Sequence, residues 1–133
     1  MCLHTTRPLP LIAEEDIKVY KVLCRHYTIN NEEFFVGPYY TYYKYKKGYN
    51  YPVRADGEHY EPHASMIGYT IGKTRVVDAG WLHAYTNPDT PLNLYKHGLG
   101  TRIIAKMIVP KGATYYLSDD GEEICSDVLI WNE

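Results

Sequence analysis

No stretch of this chain comes near the roughly eighteen consecutive apolar residues that a membrane-spanning helix needs, and the N-terminal MCLHTTRPLP lacks the apolar centre of a signal peptide. The expectation is a soluble, cytoplasmic protein with no membrane partner. Cysteine is scarce too. Cys2, Cys24 and Cys125 are an odd count at wide spacing, which excludes a disulfide framework and a paired Cys-x-x-Cys zinc site. Neither sign of charge dominates: 14 Lys and Arg against 16 Asp and Glu leave a net charge of −2, so a nucleic-acid partner is not expected. Gly-rich phosphate loops, Ser-His-Asp elbows and Cys-His protease signatures are missing, and no cofactor is implied.

Phe and Trp number two each, whereas Tyr numbers 15, so most aromatic bulk carries a wet end. A chain of 133 residues can bury a core without staples, and it reads as a single domain, 1–133, with residues 1–16 as an extended N-terminal arm bearing Pro8 and Pro10. IKVYKVLCRHYTI (17–29) alternates Ile17, Val19 and Leu23 against Tyr20, Val22 and Cys24, the pattern of a central strand buried on both sides. Residues 53–65 read as a loop. SMIGYTI, RVVDAGWLHAYT and TRIIAKMIV read as strands, and ATYYL with EICSDVLIW reads as a terminal hairpin. Thr90 as N-cap, Pro91 at the first helical position and Gly98 as the stop predict a short helix. The fold class expected is α+β, mostly antiparallel sheet with one or two short helices.

The richest local feature is GPYYTYYKYKKGYNYP (37–52). As one extended strand it would send Tyr39, Thr41, Tyr43 and Tyr45 to one side and Tyr40, Tyr42, Lys44 and Lys46 to the other. One face would fill the core and the other would offer rigid rings and lysine stems for contact. Tyr40, Tyr42 and Lys44, with His83 and Tyr85 from GWLHAYT, are therefore the candidate ligand-binding residues. A stacking platform for single-stranded nucleic acid is the sharper variant, and the near-neutral charge argues against it.

Two constellations and two single residues could carry chemistry. In DGEHYEPH an extended backbone puts His59, Glu61 and His63 on one side, two imidazoles and a carboxylate, which makes them the metal candidates; Pro62 and the residue order exclude a helical zinc-protease motif. His4-Thr5-Thr6, His26-Tyr27-Thr28 and His63-Ala64-Ser65 each place a histidine two positions before a hydroxyl, the spacing used in pairs by two-histidine phosphoesterases. His83 reads either as a satisfied strand histidine or as a pocket group. Asp127 falls among Cys125, Leu129 and Trp131 on one face of the last strand, where a carboxylate must be paired or shifted in pKa.

The combination VYKVL, GPYYTYYKYKKG, GWLHAYT, IVPKGATYY and EICSDVLIW, from residue 17 onward, resembles a group of small uncharacterised proteins from bacteriophages and gut bacteria. That resemblance implies a phage or mobile-element origin and, for such a protein, work in the host cytoplasm. More remotely, VYK, a middle turn, IVPKGA and an acidic last strand look like the core of ADP-ribosyltransferases. There Lys21 stands where many of those enzymes have arginine, and Cys125-Ser126-Asp127 stands where a Glu-x-Glu pair is expected, which implies an altered site on a related scaffold. The function expected is a small non-enzymatic accessory protein that binds a host protein or a nucleotide-like molecule through tyrosines. The alternative is an enzyme acting on a nucleotide or phosphodiester, with Lys21, His83 and Asp127, or His26 and His63, as its catalytic groups.

Overall fold

The computed structural model describes residues 3–38, 40–41, 43–54, 56–61, 64–94 and 101–132. The N-terminal arm is tied down through two short strands, β1 (His4–Thr5) and β2 (Leu11–Ile12). The apolar alternation of residues 17–29 becomes the long strand β3 (Ile17–Tyr27), followed by β4 (Glu33–Val36), β5 (Lys44–Tyr45) and β6 (Gly48–Asn50). Next come β7 (Ile67–Ile71), β8 (Thr74–Val77), β9 (Leu82–Tyr85) and the helix α1 (Asp89–Leu94). The C-terminal third holds β10 (Arg102–Val109), β11 (Thr114–Leu117), β12 (Glu123–Ser126) and β13 (Leu129–Trp131). Every strand pair is antiparallel. With one six-residue helix among the described residues, the fold is mainly β and not the α+β class that the sequence suggested.

β3 is the central strand: it pairs with β10 along eight positions from Ile17↔Val109 to Cys24↔Arg102, with β9 at Tyr20↔Tyr85 and with β4 at its far end. The large sheet runs β2-β11-β12-β9-β3-β10-β13-β6, with β4 and β5 attached beside β3. β12 and β13 are four strand spacings apart in that order, about 19 Å in a flat sheet. Ser126 and Leu129, which end the one and begin the other, can be no more than about 11 Å apart along the chain. The sheet therefore curls on itself. Its inner face carries Val19, Leu23, Leu82, Met107, Val109, Ile124, Leu129 and Trp131, all buried. A three-stranded sheet, β1-β8-β7, adds a second core of Leu3, Met66, Val77, Trp81, Tyr116 and Cys125.

Three sequence expectations are corrected. EICSDVLIW is not one strand: the chain leaves β12 at Ser126, whose Oγ donates to Val128 O at 2.9 Å and accepts from Val128 N at 3.2 Å, and re-enters the sheet as β13. This local bonding jogs the chain off the β12 register. The tyrosine tract is not one strand either; Tyr40, Thr41 and Tyr43 lie outside any strand, Lys44–Tyr45 pairs with β4 and Gly48–Asn50 pairs separately with β13, and Tyr39 and Tyr42 lie outside the described residues. A buried Asn50 overrides the expected zigzag by accepting from Lys46 N and donating to the Lys46 and Gly48 carbonyls, which turns the chain between β5 and β6. The helix, finally, begins earlier than Thr90: Asn87 Oδ1 accepts from Asp89 N at 2.9 Å in capping fashion, so Pro88 opens the first turn and Thr90 Oγ1 instead donates to Glu122. The expected stop, Gly98, lies outside the described residues.

Candidate functional site

The inward face of β3 carries a lysine where its neighbours two positions away are Val19 and Leu23. Lys21 is 8% exposed. Its Nζ donates to the His83 carbonyl at 2.5 Å and stands 5.2 Å from the centre of the Tyr45 ring. An ammonium has three donors, and among the described residues this carbonyl is its one hydrogen-bond acceptor. Burial disfavours the charged form and pulls the Lys21 pKa down to about 8.

Above Lys21 opens a cavity of about 70 Å³. Its walls include Tyr40, Tyr43, Tyr45, Trp81, His83, Tyr85 and Glu123. Tyr43 and Tyr45 meet edge to face at 4.9 Å, and the Tyr43 hydroxyl donates to Asn50 Oδ1 at 3.0 Å, so the turn built by Asn50 holds one wall. Tyr40 donates to the Val53 carbonyl at 2.7 Å. Gly80 makes this convergence possible, because a methyl there would run into the Tyr60 hydroxyl and the Val53 carbonyl. Burial raises the pKa of Tyr43, of Tyr45 and of the carboxylic acid of Glu123.

The expected ligand residues Tyr40, His83 and Tyr85 thus come together, and Lys21 joins them. The imidazole of His83 is committed to the fold. Nδ1 lies 2.7 Å from the Trp81 carbonyl and Nε2 accepts from Leu3 N at 3.1 Å, which fixes the neutral tautomer with its proton on Nδ1. Burial, then the nearby Lys21 charge, lowers its pKa to about 3. Lys44 is not part of the cavity; it is exposed, with its ammonium 4.6 Å from the Phe34 ring centre. Tyr42 lies outside the described residues. Sequence reading did not single out Trp81, Tyr43 or Glu123 as pocket residues, and the one available signal was a lysine at an apolar position of the β3 alternation.

The other candidates are dispersed. Asp127 accepts from Thr114 N at 3.1 Å and lines a second cavity, so it does not join Lys21 and His83. Burial raises its pKa. The face expected to hold it among Cys125, Leu129 and Trp131 does not exist as one strand, because of the jog at Ser126. His59 and Glu61 are exposed and line that second cavity, with His59 Nδ1 3.3 Å from the Pro52 carbonyl; His63 lies outside the described residues. His26 is exposed and stacks on Phe34 at 5.4 Å. No described helix is long and apolar enough to cross a membrane. Protein-family models, curated proteins and solved structures give no match to the chain.

Proposed function

We propose that the protein is a small non-enzymatic binding module, of the phage-borne accessory type that its sequence resembles, which takes a nucleotide-like ligand at the tyrosine-walled cavity over Lys21. One observation carries this reading: a buried ammonium with a single acceptor among the described residues faces a cavity walled by aromatic rings. A volume of about 70 Å³ is too small for a whole nucleotide and suits one compact acceptor group, such as a phosphoryl or carboxylate. That group takes the free donors of Lys21. The planar remainder lies across the tyrosines, and Glu123 accepts from its N–H or O–H groups. An enzyme built on Lys21, His83 and Asp127 fits less well, because both nitrogens of His83 are engaged and Asp127 faces the other cavity.

The test is calorimetric titration of the protein with nucleoside mono- and diphosphates and with the bare nucleosides. Phosphorylated ligands should bind, bare nucleosides should bind more weakly, and Lys21→Met should weaken the phosphorylated ligands by about 10-fold or more, the loss of one charge-assisted hydrogen bond. Equal binding by wild type and Lys21→Met, or no saturable binding by any ligand, would overturn the reading.

A further inference from the structure

The second cavity is larger, roughly 650 Å³, within the range of small-molecule sites. Its chemistry is the reverse of the first. Four aromatic rings contribute to its walls: Tyr51, Tyr60, Trp81 and Tyr116. Tyr60 and Trp81 are stacked at 4.2 Å with 24° between their planes, and Trp81 and Tyr116 are 6% exposed, so this part of the wall is rigid and dry. Two carboxylates, Glu61 and Asp127, complete the set, and no lysine or arginine is among the described lining residues. The Thr114 amide holds Asp127 in place. Ring faces carry partial negative charge, and they attract a cation most strongly where water is excluded. An anion would meet two carboxylates, with the His59 imidazole, bonded to the Pro52 carbonyl, as the one basic side chain among the described lining residues. An uncharged apolar molecule would leave both carboxylates desolvated without compensation.

We propose that this cavity binds a small organic cation of the methylated-ammonium class, packed against the rings of Tyr51, Tyr60, Trp81 and Tyr116 and neutralised by Glu61 and Asp127. Such a cation sheds its hydration shell at low cost and presents methyl groups to the rings, whereas a metal ion would demand a closer set of oxygen or nitrogen ligands. The site is independent of the Lys21 cavity in charge and in ligand, although Trp81 borders both.

The full-length chain is titrated with choline chloride, with a trimethyllysine peptide, and with the uncharged choline isostere in which tert-butyl replaces trimethylammonium. At least one cation should saturate and quench tryptophan emission, with the isostere about 10-fold weaker or worse. Preference for the peptide identifies a protein-borne cation, and preference for choline a free one. Glu61→Gln and Tyr51→Leu, both at exposed positions, should each weaken the cation about 3-fold or more at unchanged thermal midpoint, while Lys21→Met should leave it unaffected. Equal affinity for the isostere, failure of both cations to saturate, or indifference to both cage variants would overturn the proposal.

Discussion

A histidine inside an aromatic cavity invites a catalytic role, and its hydrogen bonds decide against one. His83 spends one nitrogen on the Trp81 carbonyl and the other on the Leu3 amide, residues far apart in sequence, so its ring ties the N-terminal arm to β9. Lys21, between Val19 and Leu23 on the same face of β3, is the group left with unused hydrogen-bonding capacity among the described residues. The two side chains should therefore respond differently to truncation. His83→Ala orphans a buried N–H and a carbonyl, each costing about 1–3 kcal/mol, and should lower the unfolding free energy by about 3 kcal/mol in urea titrations. Leu3 amide exchange should accelerate with it. An unchanged unfolding midpoint would show that water replaces the imidazole without loss.

At the scale of elements, alternation located the strands and side-chain bonding to backbone decided where they stop. The interior strands β3 and β10 were legible because Ile17–Leu23 and Ile103–Val109 alternate or run apolar, and neither stretch holds a Ser, Thr, Asn or Asp to draw the backbone off the ladder. Ser126 and Asn50 were the blind spots: each satisfies nearby backbone groups with its own side chain, one jogging EICSDVLIW and the other turning the end of the tyrosine tract. The site was half legible for the same reason. His83 and Tyr85 followed from the β9 alternation, but Lys21 meets Tyr43 only because of the turn that Asn50 makes. The N-terminal arm gives the clearest test of such polar fastening. Asp119 Oδ1 accepts from Thr6 N at 2.9 Å, Thr6 Oγ1 at 2.8 Å and Thr5 Oγ1 at 3.3 Å, and these bonds hold its pKa below the usual carboxylate value. Asp119→Ala should free β1 from its far anchor while leaving the β3–β10 ladder intact. Hydrogen exchange should then speed at Thr6 and leave Met107 unchanged; uniform acceleration would mean that the arm and the main sheet open as one unit.

For the whole molecule, the buried lysine sets an unusual dependence of stability on alkaline pH. The unfolded chain keeps its Lys21 proton up to about 10.5, whereas the folded chain releases it near 8. Between those values the unfolded state binds more protons, so stability rises with pH through that window and the burial penalty persists below it. The buried tyrosines act with the opposite sign: Tyr45 is raised well above the ordinary phenol value and Tyr60 to about 12, so the unfolded chain ionises first and stability falls once pH passes the ordinary tyrosine value. His83 confines its own effect to acid, where stability is lost as pH drops from 6.5 towards 3, partly offset by the half-buried Glu123 and Asp127, which favour their protonated forms in the fold. Below the tyrosine range, from about pH 7 to pH 9, Lys21 therefore dominates, and wild type should gain about 1 kcal/mol across that window. Lys21→Met should start higher at neutral pH, because an apolar side chain of similar length replaces a desolvated charge, and should stay flat over the same range. A variant that is less stable than wild type at neutral pH, or that keeps the alkaline rise, would show that the ammonium serves the fold and was not retained at its expense for a ligand.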